Sequence, residues 1–199
     1  ADYRDGRYPA LSMDGGRFLA HLHRAAMRRS PKMCALVTDL RDALSRPGAA
    51  GKVVVFSQLR DALTHAHQTL TWEGIRAEIV GARGGAGEDT EAAIGRFRED
   101  PDVKVLLLHA GSAAAGLTLT QADLVVLLEP FLSPGDEAQA ASRVHRIGQT
   151  REVRCVTYYV EDTVEERLLA FRQRQNEFGG GDNDDAGEKA DGLSVIHEG

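Results

Sequence analysis

The chain has 199 residues with 42% apolar side chains, which is enough for one ordinary domain with its own core. The formal net charge is −6, and residues 179–199 hold six acids and one base, so the other 23 basic and 24 acidic side chains nearly balance. This balance excludes a domain that is basic over its whole surface, and no apolar run is as long as a membrane span. The only cysteines, Cys34 and Cys155, are too few for a structural zinc site, and we interpret both as thiols of a reducing compartment.

The chain begins with an irregular N-terminal extension, residues 1–29, in which Arg, Asp and Gly occur without clear periodicity. Because the first residue is Ala1 and not Met, we expect the chain to be a fragment of a longer protein. A helical pattern starts at Ser30, a suitable N-cap, with Pro31 at the first helical position and Pro47 at the stop.

Strand and helix signals then alternate along the chain. The strands are short, continuous apolar runs, which is typical of a parallel sheet that helices cover on both faces. The predicted strands are residues 53–56, 75–80, 103–108, 124–128 and 153–160, and the predicted helices between and after them are residues 59–72, 89–98, 137–147 and 163–175. The last helix begins with Thr163 and Glu166, which are spaced for a capping box.

The C-terminal residues 179–199 form an acidic tail rich in Gly and Asp. Such a composition buries too little apolar surface to offset the entropy of ordering the chain, so we predict that the tail is disordered. The apolar patch at residues 193–196 is the exception, since it has side chains with which to dock elsewhere. The predicted folded domain therefore spans residues 30–178.

The sequence QAASRVHRIGQ at residues 139–149 carries the most chemical information. On a helix, Gln139, Arg143 and Arg146 are spaced i, i+4 and i+7 and share one face. Arginine makes planar, permanently charged contacts with phosphate, so two arginines on one face suit a polyanion. The alternative is a solvated helix face that forms salt bridges to acids such as Glu137.

Several segments together resemble the second lobe of the Swi/Snf-type ATPases of the second helicase superfamily. The arginine segment resembles helicase motif VI, KVVVFSQ at residues 52–58 resembles motif IV, and GLTLTQAD at residues 116–123 resembles the motif V region. EPFLSP follows at residues 129–134, and TVEER at residues 163–167 resembles the closing helix. The EPFLSP and RVHRIGQT segments are most similar to the SHPRH-type branch, whose members combine the motor with a RING finger and act as ubiquitin-protein ligases.

The resemblance implies a RecA-like open parallel sheet with helices on both faces. It also implies half of an ATP-driven, double-stranded-DNA translocase that acts in chromatin remodelling or DNA repair. Arg143 and Arg146 are then expected to reach the phosphates of ATP, which binds with Mg²⁺ mainly on a missing first lobe, and one of the two acts as an arginine finger. Gln139 is expected to help position their helix.

The same resemblance assigns residues to DNA. Gly116 and Thr118 are expected in a loop that touches ATP or the DNA backbone and couples the two. Ser57 and Gln58, at the end of the first strand, are expected to face DNA phosphates. Contact with the backbone alone suits a motor that steps along any sequence.

This sequence departs from the family pattern at four places. Residues 112–115 are SAAA where a Gly-Gly pair is usual, and Thr118 stands where Asn is usual. Residues 132–134 are LSP in place of the usual Trp-Asn-Pro, and the segment between Gly81 and Phe97 is longer than usual, with Thr90 near the expected arginine. These departures bear on the coupling to DNA more than on the fold.

A phosphate-cradling GxxxxGK[ST] sequence does not occur, and the glycine-rich residues 81–87 lack the Lys-Ser/Thr ending. We therefore expect no meaningful ATPase activity from this chain alone. The expected partners are the first RecA-like lobe of the same parent chain and double-stranded DNA or nucleosomes, in the nucleus, and no membrane. Two alternatives stay open. One is a degenerate lobe that serves as a scaffold in a ubiquitin-protein ligase, whose ubiquitin-conjugating enzyme binds another domain. The other is an RNA helicase lobe, against which the HRIGQ ending argues.

Overall fold

The computed structural model describes residues 30–46, 51–81, 88–111, 117–178 and 193–198. The predicted N-terminal extension and most of the predicted tail lie outside these ranges. In chain order the elements are α1 (Pro31–Ser45), β1 (Val53–Ser57), α2 (Arg60–Trp72), β2 (Ala77–Val80), α3 (Glu88–Glu99), β3 (Val105–His109), β4 (Leu124–Leu127), α4 (Pro134–Ala141), β5 (Val153–Tyr158), α5 (Val164–Phe178) and β6 (Leu193–Glu198).

The strands form one parallel sheet in the order β2-β3-β1-β4-β5-β6. β1 lies between β3 and β4, and every residue of β1 and β4 is buried, as the continuous apolar runs predicted. The predicted open parallel sheet with helices on both faces is therefore confirmed. Because β3 and β4 lie on opposite sides of β1, the connection between them leads from one side of the central strand to the other.

Successive side chains of each central strand point to opposite faces, and each face has its own apolar cluster. The first cluster joins the sheet to α3 and α4, and it includes Val54, Phe56, Leu106, Leu108, Val125, Leu127, Ile94, Phe97 and Val144. The second joins the sheet to α1 and α2, and it includes Val53, Val55, Leu107, Val126, Leu36, Leu40, Leu63 and Leu70. None of the described helices is both long and apolar enough to cross a membrane.

The apolar patch at residues 193–196, the exception within the predicted disordered tail, lies in a strand. Leu193–Glu198 forms a sixth strand, β6, which pairs in parallel with β5 in the register Val153↔Leu193 to Tyr158↔Glu198. The backbone hydrogen bonds offered by the edge of β5 order these six residues, which periodicity alone could not show.

The start of α5 follows the predicted capping pattern in part. The Thr163 hydroxyl oxygen accepts the Glu165 N–H at 3.2 Å, as an N-cap does. The Glu166 carboxylate, however, accepts the N–H of Asp162 at 2.7 Å and not that of Thr163. Asp162 has φ +58°, and this turn in the backbone accompanies the one-residue shift of the reciprocal bond.

Candidate functional site

The carboxyl ends of β1, β3 and β4 meet at one edge of the sheet. Ser57 is the last residue of β1 and pairs in register with His109, the last residue of β3. Glu129 follows the end of β4 by two residues, next to the end of β1. In open parallel sheets, ligands bind outside the carboxyl ends of the strands where the strand order reverses, and β1 is that point here.

The arginine segment does not continue as the predicted helix over residues 137–147. Helix α4 ends at Ala141, and residues 142–149 form a series of turns, which we call the arginine turn. The Arg143 carbonyl accepts the N–H of Leu119 at 2.8 Å, so a neighbouring segment takes the acceptor that a longer helix would use internally. Gln139 therefore lies on the helix while Arg143 and Arg146 lie beyond it, and the expected shared helical face is wrong.

Arg146 is exposed and contacts the segment that resembles motif V. Its guanidinium donates to the Thr118 hydroxyl at 3.0 Å and to the Leu117 carbonyl at 3.4 Å. Arg98, near the end of α3, donates to the Thr118 carbonyl at 2.9 Å. Two arginines from different elements thus hold the segment around Thr118, and only one of them comes from the arginine turn.

Gln149 fastens the other end of the arginine turn to the same segment. Its side-chain amide donates to the carbonyls of Ala122 at 2.7 Å and Thr120 at 3.3 Å, while its oxygen accepts the N–H of Arg151 at 3.1 Å. Arg151 in turn donates to the Thr120 carbonyl at 2.9 Å. The turn and residues 117–122 are therefore one connected unit, although they are more than 20 residues apart in sequence.

Glu137 does not provide the salt bridge that the alternative interpretation of the arginine segment required. Its carboxylate accepts Arg172 of α5 at 2.9 Å and the N–H of Phe131 at 2.7 Å. Arg143 is half-buried, and its Nε has no hydrogen-bond partner among the described residues. Gln139 is exposed, and its carbonyl accepts the hydroxyl of Ser142 at 2.7 Å, close to the end of α4.

The remaining predicted site residues divide between described and undescribed parts of the chain. Thr118 is half-buried in the contacts given above, whereas Gly116 lies outside the described residues. Ser57 is completely buried, so its predicted contact with a DNA phosphate, which stays a prediction, is not open in this conformation. Gln58 is half-buried at the edge of the sheet, and its role also stays a prediction.

Ser57, Gln58, His109 and Glu129 form a hydrogen-bonded group that we call the Glu129 cluster. The Ser57 hydroxyl lies 2.9 Å from both carboxylate oxygens of Glu129, and the Gln58 N–H donates to Oε1 at 2.5 Å. The Gln58 carbonyl lies 3.0 Å from His109 Nε2, and His109 Nδ1 accepts the Gly111 N–H at 3.2 Å. Because Nδ1 accepts, the neutral ring carries its proton on Nε2 and donates it to Gln58.

Burial raises the pKa of the Glu129 carboxyl above its ordinary value, because the ionised form loses water. The hydrogen bonds from Gln58 and Ser57 and the charge of Lys32 oppose this shift, and the charge of Glu165 adds to it. Lys32 donates to Glu165 at 2.6 Å and to the carbonyl of Leu128 at 2.7 Å, directly before Glu129.

Sequence reasoning did not assign Glu129, His109 or Arg98 to the site. Glu129 gave a signal, since it is a carboxylate placed directly after an apolar run that predicts a buried strand. His109 occupies the equivalent place after the third strand. Arg98 gave no signal, because a basic residue in the last turn of a helix is common for reasons of the helix dipole alone.

The chemistry of the arginine turn suits phosphate better than a metal ion. Arg146 and the half-buried Arg143 fit a polyphosphate, which accepts planar, charge-assisted hydrogen bonds. Within the described ranges, no group of three or more His, Cys, Asp or Glu side chains could hold a metal ion. Cys34 and Cys155 form no disulfide, and burial raises the pKa of the Cys155 thiol to about 12.

Comparisons with known proteins show the family of the chain. Residues 35–148 match the model of the helicase conserved C-terminal domain. The chain is 38% identical over 149 residues to the DNA repair protein rad8 of Schizosaccharomyces pombe, which covers 74% of the chain and 13% of that protein. It is 36% identical over 143 residues to the human E3 ubiquitin-protein ligase SHPRH, covering 71% of the chain and 8% of that protein.

A solved structure agrees with the fold. The C-terminal part of the Fun30 ATPase domain superposes with a TM-score of 0.66 at 28% identity, covering 72% of this chain and 46% of that one. The chain thus spans a small part of the curated relatives that it matches, and the predicted resemblance to the Swi/Snf-type lobe, with SHPRH among its relatives, is confirmed. The chain belongs to the family of helicase conserved C-terminal domains.

Proposed function

We propose that this chain is the second ATPase lobe of a double-stranded-DNA translocase and supplies Arg143 and Arg146 to ATP bound on a first lobe. One observation carries the proposal. The arginine turn is fixed to residues 117–122 through the Arg143 carbonyl, the Arg146 guanidinium and the Gln149 amide, while Arg146 itself remains exposed. A guanidinium that is both anchored and exposed is suited to act on a phosphate presented by another domain.

ATP, when bound with Mg²⁺ between two lobes, supplies the phosphoryl group whose transfer develops negative charge. The contribution of this chain is positioning and charge. Arg146 is exposed beside residues 117 and 118, and Arg143 precedes it by three residues with an Nε that has no hydrogen-bond partner among the described residues. An arginine placed beside the transferring phosphoryl group contributes roughly a thousandfold or more in rate.

The names of the relatives support a nuclear, DNA-directed role. The rad8 protein is named for DNA repair, and SHPRH is named as an E3 ubiquitin-protein ligase. We extend the first of these names to this chain as part of the proposal, with duplex DNA or nucleosomes as substrate. The residues proposed to contact the DNA backbone are Gln58, Thr118 and Ser57. Gln58 and Thr118 are half-buried, and Thr118 also contacts Arg146 of the arginine turn, whereas Ser57 is buried.

The test is DNA-stimulated ATP hydrolysis by a motor protein that holds this chain together with its first lobe. We expect Arg143→Ala and Arg146→Ala each to lower the turnover number by about a hundredfold or more. Arg41→Ala is the matched control, because Arg41 is an exposed arginine of α1 that pairs with Glu73, and α1 packs on the opposite face of the sheet from α4.

The outcome also separates the motor from a scaffold in a ubiquitin-protein ligase. If both arginine variants hydrolyse ATP as the wild type does, the motor proposal fails. If those variants lose ATP hydrolysis but ubiquitin transfer continues, the result supports a lobe that acts both as part of a motor and as a scaffold. Turnover by the isolated chain that disappears on Arg146→Ala contradicts the expectation that a first lobe is required.

A further inference from the structure

The Glu129 cluster contains a carboxylate in a place where charge is costly. Glu129 is 8% exposed and follows a strand whose four residues are all buried. Burying a carboxylate is unfavourable unless donors replace its water, and here the Ser57 hydroxyl and the Gln58 N–H do so. An apolar residue would avoid the cost of burying a charge but would leave the Gln58 N–H without its acceptor, so Glu129 is suited to holding this N–H.

The position that Glu129 fixes is the main chain of Gln58. Strand β1 ends at Ser57, so Gln58 lies beyond the regular ladder of the sheet. Both polar backbone groups of Gln58 form hydrogen bonds with side chains. Its N–H donates to Glu129, and its carbonyl accepts from His109. The direction in which residue 58 leaves the strand therefore depends on these two bonds.

The same bonds reach the connection between β3 and β4. His109 Nδ1 accepts the Gly111 N–H, and Gly111 is the last described residue before the segment that leads to Thr118. Glu129 itself is steadied by Lys32, which binds the carbonyl of Leu128 and the carboxylate of Glu165. One buried carboxylate thus links the ends of β1, β3 and β4.

We propose that Glu129 is a positioning residue that sets the contact of Gln58 with the DNA backbone by holding the Gln58 main chain. The proposal rests on the proposed function, since it assigns a role within the same DNA-dependent motor. In this proposal Glu129 acts through Gln58 and does not itself contact DNA or ATP.

The experiment measures ATP hydrolysis by the two-lobed motor as a function of duplex DNA concentration. We expect Glu129→Ala to raise the DNA concentration for half-maximal stimulation by about tenfold or more, because the Gln58 N–H loses a charge-assisted bond. The maximal rate at saturating DNA is expected to fall by less than about threefold, because Glu129 does not contact the ATP-facing arginines.

Two further variants distinguish positioning from general loosening of the fold. Gln58→Ala is expected to give the same rise, and the Glu129→Ala, Gln58→Ala double variant no more than either single one, since both act on one contact. Glu129→Gln keeps an acceptor oxygen for the Gln58 N–H and is expected to restore most of the affinity. It also carries the test if Glu129→Ala does not fold.

The matched control is Glu78→Ala, which removes a partly buried carboxylate that pairs with Arg96 on the outer strand β2. It is expected to leave half-maximal stimulation unchanged. The inference about Glu129 is overturned if the effects of Glu129→Ala and Gln58→Ala are fully additive. It is also overturned if Glu129→Ala leaves the DNA concentration for half-maximal stimulation unchanged. In either case the arginine variants can still support the motor. Wild-type hydrolysis in Arg143→Ala and Arg146→Ala overturns the motor alone, and hydrolysis by the wild type that ignores DNA contradicts both.

Discussion

The arginine turn and the Glu129 cluster lie at opposite ends of the strands, and they hold their charges in opposite ways. Arg146 is exposed, and its two acceptors, Thr118 and Leu117, belong to one neighbouring segment. Glu129 is buried, and its donors come from the end of the central strand. An exposed charge contributes little to stability, whereas a buried one is stable only with its partners in place.

The exposed arginine is suited to chemistry, and the buried carboxylate is suited to positioning. The guanidinium of Arg146 can change its partner without unfolding the domain, so it is suited to a ligand that comes and goes. The carboxylate of Glu129 cannot lose its partners without leaving a buried charge or buried donors unsatisfied. Variants at the two places should therefore change different measurements, and the following predictions run from the largest expected effect to the smallest.

The largest effect is expected from Arg146→Lys in the two-lobed motor. Lysine keeps the charge but loses the planar fork that contacts phosphate through two nitrogens. We expect the turnover number to fall by about a hundredfold, with the free energy of unfolding of the chain within about 0.5 kcal/mol of wild type. Arg41→Lys, at another exposed ion pair, is the control, and a rate above half of wild type for Arg146→Lys would contradict the comparison.

Glu129→Ala is expected to change stability where Arg146→Ala does not. The variant leaves the Gln58 N–H without its acceptor, which costs about 1–3 kcal/mol, while the Ser57 hydroxyl keeps the Leu59 carbonyl as an acceptor. Urea unfolding of the 199-residue chain at neutral pH measures this difference. Equal unfolding midpoints for Glu129→Ala and Arg146→Ala would show that the buried and exposed charges are not held differently.

The pH dependence of stability should report Glu129. Its pKa is raised by burial, so the folded state holds this proton more tightly than the unfolded chain does. Stability from this group is therefore greatest below the unfolded pKa and is lost as pH rises through the folded pKa. We therefore expect the free energy of unfolding of Glu129→Gln, relative to that of wild type, to increase from about pH 4 to pH 7. A flat or falling difference in urea unfolding would mean that the effects of Gln58, Ser57 and Lys32 on the pKa of Glu129 outweigh the effect of burial.

The smallest effect concerns the two cysteines, which differ in burial as the two charged groups do. Cys34 is exposed, whereas Cys155 is buried in β5 with a pKa of about 12. Iodoacetamide at about pH 8 should modify Cys34 alone, because a thiolate is the reactive form and Cys155 forms almost none. Mass spectrometry counts the adducts, and Cys34→Ser is the control that should stay unlabelled. Rapid labelling of both cysteines without urea would contradict the buried position of Cys155.

Most of the sheet could be predicted from local sequence because its strands are buried on both faces. The runs at β1, β3 and β4 are continuous and apolar, and no other element gives that pattern between helices. For the candidate site, Arg143, Arg146 and Thr118 were assigned from a family resemblance, and their roles stay predictions. Their mutual contacts were not, because the hydrogen bonds from Arg146 to Thr118 and from Leu119 to Arg143 join residues that are distant in sequence.

The sequence by itself determined the class of fold, the order of its elements and the presence of two arginines suited to phosphate. Only the tertiary structure decided that α4 ends at Ala141, that Leu193–Glu198 joins the sheet and that Glu129 binds Ser57 and Gln58. The reason is physical. Apolar periodicity records which side chains are buried, but the partner of a backbone carbonyl or a buried carboxylate depends on which distant segment the fold brings within 3 Å of it.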